Sequence, residues 1–104
     1  MSKFQQISPE DAKEMMDEQD DIVILDVRTE AEYEDGHIEG AIVIPVNELE
    51  YVVESEIEDY DQTILVYCRS GNKSKMAAVI LTELGYNNVY EFGGIMDWPY
   101  GIVK

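Results

Sequence analysis

Residues 63–85 read TILVYCRSGNKSKMAAVILTELG, an apolar run followed by a short polar loop and a helical pattern. The continuous, β-branched run at 63–67 predicts a strand that is buried on both faces of a parallel sheet. From about residue 72 to residue 84, apolar residues recur at helical spacing, and Gly85 predicts the end of that helix. We expect the helix to bury a stripe of five residues: Met76, Ala77, Ile80, Leu81 and Leu84.

The rest of the chain alternates between the same two patterns. Four further apolar runs predict strands, at residues 4–7, 22–25, 41–44 and 89–92. Helical patterns lie between the strands, at residues 9–19, 29–36 and 47–55. Ser8 before Pro9 predicts the start of the first of these helices, and Thr29 with Glu32 predicts a capping box for the second. The alternation predicts an open α/β sheet, in which ligands bind beyond the carboxyl ends of the strands.

The length of the chain fits a single domain. Its 104 residues suffice for one sheet with its helices but not for two independent cores, so we expect one domain over residues 1–104. The first ten residues are polar and mixed, and no apolar run approaches the roughly 18 residues of a membrane span. Cys68 is the single cysteine, and an unpaired thiol is typical of a reducing compartment. We therefore expect a soluble, cytoplasmic protein.

Acidic residues dominate the charge, with 23 Asp and Glu against 7 Lys and Arg and a formal net charge of −16. Such a charge repels nucleic acids and anionic membranes, so we expect neither as a partner, and the simplest interpretation is a solubilising surface. Arg69, Lys73 and Lys75 nevertheless follow shortly after Cys68, in a stretch that has no Asp or Glu. A positive field beside a thiol favours the thiolate and attracts anions, which indicates a reactive cysteine.

The loop that follows the cysteine is suited to hold an anion. Its backbone N–H groups and the N-terminus of the next helix can surround a group attached to the sulfur. Gly71 and Asn72 tolerate the tight backbone that such a curl needs. These features favour a thiolate or a persulfide anion over a neutral thiol. The candidate site comprises Cys68 as the nucleophile and a loop of Arg69, Ser70, Gly71, Asn72, Lys73 and Ser74.

Three motifs of the chain resemble, in order and spacing, those of one known family. The loop reads CRSGNKS from Cys68 onward. Upstream, residues 25–45 contain LDVR, EY, GHI, GA and a proline, and downstream a Gly-Gly pair at 93–94 precedes Trp98. Together these segments resemble the active-site loop, the DVR region and the closing GG…W element of the rhodanese sulfurtransferases, and they cover nearly the whole chain.

The resemblance implies a rhodanese-like fold, with a five-stranded, mainly parallel central sheet flanked by helices on both faces. It also implies a ping-pong reaction, in which Cys68 takes up sulfane sulfur as a persulfide and passes it to a thiophilic acceptor. The implied donor is thiosulfate, another small molecule or a protein persulfide, and the implied acceptor is a thiol or cyanide. We expect no metal and no organic cofactor, because a covalent cysteine intermediate suffices for the transfer.

Two other functions stay open for the same residues. The first is a redox-sensing, sulfur-carrier or binding module without turnover, since a reactive thiol that lacks a second cysteine is oxidised reversibly or capped by a small thiol. The second is a Cys-dependent phosphatase. Related phosphatases carry Arg six positions after the cysteine to grip the phosphoryl oxygens, whereas this chain has Ser74 there. The loop of six residues, 68–73, matches the sulfur-transferring rhodaneses instead.

Other conspicuous residues are interpreted as structural. Asp26 and Arg28 end a buried strand, so we expect them to form an ion pair or to brace a loop. His37 is expected to pack, because an amide-stabilised thiolate needs no general base. Trp98 is expected to plug the core or to form a pocket wall. Ser74 either helps to hold the sulfur anion or bonds to the backbone. Three methionines are expected to fill gaps in the core: Met15, Met16 and Met76.

Overall fold

The computed structural model describes residues 3–104, in which five strands alternate with four α-helices. The strands are β1 (Gln5–Gln6), β2 (Ile22–Asp26), β3 (Ile42–Val43), β4 (Thr63–Cys68) and β5 (Asn88–Gly94). The helices are α1 (Pro9–Glu18), α2 (Glu30–Asp35), α3 (Leu49–Glu56) and α4 (Asn72–Leu84). A short 3-10 helix, Ile95–Asp97, follows β5.

The strands form one sheet in the order β1-β5-β4-β2-β3, and each neighbouring pair is parallel. β4 lies at the centre of the sheet, between β5 and β2, and β2 lies between β4 and β3. The two continuous apolar runs therefore occupy interior positions, as expected for strands that are covered on both faces. The α/β class and the five-stranded parallel sheet are confirmed.

The predicted strand bounds differ from the observed ones mainly at the edges of the sheet. β1 and β3 are two residues long, where the apolar runs predicted four residues each. Each lies at an edge, and a short edge strand exposes few unpaired backbone groups to other chains. β5, in contrast, continues beyond the predicted end at residue 92 and includes Gly94.

Side chains of the sheet alternate between two cores, one on each face. Ile64 and Val66 of β4 belong to the core that α3 and α4 cover. Leu65 and Tyr67, which point the other way, belong to the core that α1 covers. The helices therefore flank both faces of the sheet, as the fold class requires.

The predicted helix starts at Ser8 and Thr29 are confirmed. The Ser8 side chain accepts a hydrogen bond from the backbone N–H of Asp11, 3.0 Å away. Thr29 and Glu32 form the reciprocal capping box. Within residues 3–104, no helix has the length and apolar character needed to cross a bilayer.

The prediction that Met76 is buried is wrong, because its side chain is 58% exposed. The buried stripe of α4 starts at Ser74, which turns that face of the helix away from Met76. The other residues of the buried stripe are Ala77, Ala78 and Leu81. Ile80 and Leu84 are half-buried at the edge of the stripe, against the same core. Met15 and Met16, in contrast, are half-buried and pack against the core under α1, as predicted.

Candidate active site at Cys68

Cys68 is the last residue of β4, the central strand, and lies at the carboxyl end of the sheet. Its side chain is only 2% exposed. The loop of residues 69–71 then leads directly into α4. The junction of a buried strand with the N-terminus of a helix therefore positions the thiol, as the sequence predicted.

The loop curls back onto the sulfur through Gly71. The backbone N–H of Gly71 donates a hydrogen bond to Cys68 Sγ over 2.9 Å. Gly71 has a φ of 106°, a left-handed conformation that glycine adopts without the steric cost of a Cβ. The amide at this position stabilises negative charge on the sulfur or on a group attached to it.

The Gly-Gly pair at the end of β5 closes the site from behind. A Cβ placed on Gly94 would lie 2.0 Å from the backbone oxygen of Arg69 and 2.6 Å from Cα of Ser70. The backbone N–H of Met96 also donates to the Arg69 oxygen, 3.2 Å away. The end of β5 and the turn that follows it thus pack directly against the backbone of the loop, which explains why glycine occupies position 94.

Ser74, in the first turn of α4, lies behind the cysteine and is fully buried. Its Oγ accepts a hydrogen bond from the thiol of Cys68, with 3.4 Å between Oγ and Sγ. The same hydroxyl lies 2.6 Å from Glu91 Oε2 and 3.0 Å from the backbone oxygen of Gly71. The hydroxyl therefore lies within hydrogen-bond distance of the sulfur, of a backbone carbonyl and of a carboxylate, and its role toward a sulfur anion stays a prediction.

Glu91 was not identified from the sequence. It lies in the middle of β5, is 2% exposed and also accepts a hydrogen bond from the backbone N–H of Gly93 over 2.7 Å. The signal was present: a glutamate stands inside the otherwise apolar run of residues 89–92. Its distance from Cys68, 23 positions along the sequence, concealed their proximity in space.

A cavity of about 250 Å³ opens in front of the sulfur. Its lining includes Cys68 and four charged side chains, which are Arg28, Glu32, Arg69 and Lys73. Three of these are cations, so the mouth of the site favours an anion even though the protein as a whole is strongly acidic.

The structure also places the rest of the predicted loop. Ser70 and Asn72 line the same cavity, whereas Gly71 and Ser74 are buried behind it. Lys75 is exposed and does not line the cavity. The functional roles of these residues remain predictions.

A buried ion pair supports the far wall of the cavity. Arg28 Nη2 donates to Asp26 Oδ2 at 2.7 Å, and the same nitrogen donates to the backbone oxygen of Gly36 at 2.7 Å. The Tyr67 hydroxyl donates to Asp26 Oδ2 at 2.7 Å. Burial would lower the pKa of Arg28, but the hydrogen bonds and the charge of Asp26 outweigh it and raise the pKa. The predicted ion pair and loop brace are both present.

Glu32 is the acidic group at the mouth of the cavity. Its backbone hydrogen bond from Thr29 lowers its pKa against the opposing effect of burial, and the charges of Arg28 and Lys73 lower it further. This carboxylate therefore stays ionised and offsets part of the positive charge around the sulfur.

His37 and Trp98 have the structural surroundings that the sequence predicted. The His37 ring stacks on Tyr33 at a centroid distance of 3.7 Å, and its Nδ1 lies 2.8 Å from the Tyr33 backbone oxygen. Trp98 is half-buried and packs against Phe92, with ring centroids 5.4 Å apart. Neither residue lines the cavity in front of Cys68.

Comparison with known proteins identifies the family of this chain. The family model of the rhodanese-like domain matches residues 8–99, which is most of the chain. The protein is a member of the rhodanese family. The matched segment includes all the residues of the site described above, from Asp26 to Met96.

Individual relatives agree with the family match. This rhodanese is 38% identical over 80 residues to the thiosulfate sulfurtransferase PspE of Escherichia coli, covering 77% of each chain. It is 37% identical over 98 residues to the putative sulfur carrier protein YrkF of Bacillus subtilis, covering 93% of this chain and 52% of that one. Among solved structures, a rhodanese-related protein from Thermoplasma volcanium is 33% identical, with a TM-score of 0.80 over 95% of this chain and 97% of the other. The names of these relatives support a family of sulfurtransferases and sulfur carriers.

In this rhodanese, residue 74 is not the arginine with which related phosphatases bind the phosphoryl oxygens. The phosphatase alternative requires a guanidinium at that position, where it would grip two phosphoryl oxygens. The structure shows a serine that is fully buried and hydrogen-bonded to Glu91 instead. The site therefore presents a carboxylate behind the cysteine where phosphoryl transfer needs a cation.

Proposed function

We propose that this rhodanese is a sulfurtransferase that carries sulfane sulfur as a persulfide on Cys68. The observation that carries the proposal is the hydrogen bond of 2.9 Å from the Gly71 N–H to Cys68 Sγ, at the bottom of a cavity with cationic walls. A persulfide on Cys68 would place its terminal sulfur in that cavity. The same amide and helix N-terminus that favour a thiolate also favour this anion.

The proposed reaction has two steps. In the first, Cys68 Sγ forms a bond to the sulfane sulfur of the donor, and the donor's own sulfur–sulfur bond breaks. With thiosulfate, the electron pair of that bond leaves with sulfite. In the second step, a lone pair of a thiol or of cyanide attacks the outer sulfur, and the electron pair of the persulfide bond returns to Cys68. No net oxidation is needed, so the chemistry requires no redox cofactor.

The walls of the cavity favour an anionic donor. Arg69 and Lys73 are exposed at its mouth, and Arg28 is held behind them by Asp26. A volume of about 250 Å³ accommodates thiosulfate, and it also accommodates the end of a cysteine persulfide side chain presented by another protein. Both donor types fit the chemistry of the site.

Intact-protein mass spectrometry tests the proposal directly. After incubation with thiosulfate and removal of the excess, the protein is expected to gain the mass of one sulfur atom, and addition of cyanide is expected to remove it with formation of thiocyanate. The matched control is Cys68→Ser, which keeps the size of the side chain but cannot form a persulfide. Sulfur uptake by that variant, or none by the wild type from any sulfane donor, would contradict the proposal.

A second candidate function is a sulfur carrier that is loaded and unloaded by other proteins without turnover of its own. The observation that favours it is the burial of Cys68, which is only 2% exposed and so presents little of its sulfur to small molecules in solution. The two functions differ in the rate of the second step. A carrier is expected to hold the persulfide stably in the presence of cyanide or small thiols, whereas a sulfurtransferase turns over with them.

A further inference from the structure

Behind Cys68 lies an acidic group that the proposed reaction does not yet use. Glu91 is 2% exposed, and among residues 3–104 no Lys, Arg or His nitrogen lies within salt-bridge distance of it. Its partners are neutral: Ser74 Oγ at 2.6 Å, the Gly93 N–H at 2.7 Å and Gln6 Nε2 at 3.2 Å. Glu91 is therefore a buried carboxylate that is held by neutral hydrogen-bond donors alone.

The Ser74 hydroxyl connects this carboxylate to the cysteine. Three oxygens lie within hydrogen-bond distance of Ser74 Oγ: Glu91 Oε2 at 2.6 Å, the Gly71 carbonyl at 3.0 Å and the Gly93 carbonyl at 3.3 Å. A hydroxyl has one proton, and a charged acceptor at the shortest distance forms the strongest bond. The Ser74 proton therefore points at Glu91, which leaves an oxygen lone pair to accept the Cys68 thiol proton.

We propose that Cys68 and Glu91 share one proton through Ser74, and that Glu91 is the positioning residue that takes this proton up when Cys68 acts as a nucleophile. The inference deepens the proposed function and rests on it only where sulfur moves. Both hydrogen bonds run in the same direction, from Sγ to Oγ and from Oγ to Oε2. Transfer along them moves the negative charge from the carboxylate to the sulfur, where the Gly71 N–H stabilises it.

The shared proton leaves Cys68 in the first step of the reaction and returns to it in the second. As Cys68 Sγ bonds to the sulfane sulfur, its proton passes to Ser74 Oγ while the Ser74 proton passes to Glu91 Oε2. As the acceptor removes the outer sulfur, the electron pair returns to Cys68 Sγ, and the proton returns along the same path. The pair holds one proton and one negative charge before and after each full cycle, so no external base is required.

Glu91→Gln tests the sharing, because glutamine keeps the shape and the hydrogen-bond acceptor but cannot take up a proton. Alkylation of Cys68 by a neutral reagent is followed by intact mass across roughly pH 4 to 10. For the wild type we expect a pH-independent rate near neutrality, from the fraction of molecules with the proton on Glu91, and a second rise at alkaline pH. For Glu91→Gln we expect a single rise, about one pH unit or more below the alkaline rise of the wild type, because two coupled acids titrate in two steps.

The other charged groups near the sulfur are the same in both proteins. They are Arg28 after β2, Glu32 on α2, and Arg69 and Lys73 of the loop, and on β1 and α4 the groups that face Glu91 are the neutral Gln6 and Ser74. Their effects therefore cancel in the comparison. Glu83→Gln, an equal change of charge on the exposed surface of α4, is the control and is expected to keep the wild-type profile.

Ser74→Ala separates proton transfer from the charge effect of Glu91. This variant keeps the carboxylate but removes the hydroxyl that links it to the sulfur, so the state with the proton on Glu91 loses the hydrogen bond that stabilises its thiolate. The rate plateau near neutrality is therefore expected to be lost, and the high-pH rise is expected to stay. Superimposable profiles for the wild type and Glu91→Gln, with both folded by thermal unfolding, would overturn the inference. A plateau that persists in Ser74→Ala would overturn the route through Ser74.

The same variants separate this inference from the proposed function. Sulfur loading from thiosulfate is measured on each protein by intact mass, alongside the alkylation profile. Two-step alkylation without sulfur loading would leave the shared proton intact and refute the sulfurtransferase. Sulfur loading together with a single-step alkylation profile in the wild type would support the sulfurtransferase and refute the shared proton.

Discussion

Gly94→Ala is the substitution that tests most directly how the loop at Cys68 is held. The backbone of Gly94 has φ −128° and ψ 157°, an extended conformation that alanine adopts without strain. The only obstacle to alanine is space, because its Cβ would lie 2.0 Å from the Arg69 backbone oxygen. The expected effect is therefore one of contact alone and can be worked out from the distances.

The size of the effect follows from the displacement that the new methyl group requires. Contacts of a Cβ below 3.4 Å are already tight, so the Arg69 oxygen and Gly94 must separate by about 1.4 Å. Overpacking of this kind costs about 1–3 kcal/mol, which lowers the unfolding temperature of a domain of this size by roughly 5–20 °C. A shift of about 1 Å in a reacting group reduces a rate by about 100-fold, and the Gly71 N–H moves with the loop.

The assay measures sulfur transfer from thiosulfate to cyanide well below the unfolding temperature of the variant. Gly101→Ala is the control: its φ of +90° imposes strain on alanine, but no atom lies within 4 Å of the new Cβ. That variant is expected to lose about 1–2 kcal/mol of stability and to transfer sulfur at the wild-type rate. If folded Gly94→Ala transfers sulfur as fast as Gly101→Ala, the loop is not held by its contact with Gly94.

Three further predictions concern salt dependence, pH dependence and phosphatase activity. First, kcat/KM for thiosulfate is expected to rise with neutral salt, because screening weakens the repulsion by a net charge of −16; a fall with salt would show that Arg69 and Lys73 govern access. Second, because the Thr29 amide lowers the pKa of Glu32, the charged side chain stabilises the fold above its unfolded value of 4.5, and this contribution is lost as the pH falls through the lower folded pKa. Glu32→Gln should therefore be less stable than the wild type at pH 7, by about 0.5 kcal/mol or less, and equally stable near pH 2 in thermal unfolding. Third, a chromogenic aryl phosphate should not be hydrolysed above background, and hydrolysis that disappears in Cys68→Ser would contradict the assignment based on Ser74.

The fold could be predicted from the sequence because local patterns determine it. Continuous apolar runs at 22–25 and 63–67 identified two of the three inner strands, β2 and β4. Cap residues such as Thr29 fixed helix starts within a residue. The lengths of the edge strands were harder to predict, since an edge strand ends where its pairing with a neighbour ends and not where its own side chains change. The burial of Met76 was predicted wrongly for a similar reason. The rotation of α4 about its axis is set by the contacts of Ser74 in the site, and the local sequence does not show those contacts.

The site was predictable as far as it is local in sequence. Cys68 and its loop form one continuous segment, and their strand–loop–helix pattern carries the information. The parts contributed by β5, namely the close approach of Gly94 and the carboxylate of Glu91, depend on which strand lies beside β4. The pairing of β5 with β4 appears only in the sheet order. The local sequence offered one indication of it, which is the charged residue Glu91 within an apolar run.

The structure separates two kinds of residue around Cys68, and they should differ in what their substitution changes. The floor of the site consists of Gly71, Ser74, Glu91 and Gly94, all buried and joined by short contacts, so a change there alters the geometry of the sulfur for every substrate. The mouth consists of flexible, exposed side chains, chiefly those of Arg69 and Lys73, which meet the donor before the sulfur does. Removing a charge at the mouth should therefore change the ranking of donors and the salt dependence while leaving Cys68 alkylation by a neutral reagent nearly unchanged. Selection for a new donor can act on the mouth without loss of the fold, whereas the floor constrains the chemistry that all donors share.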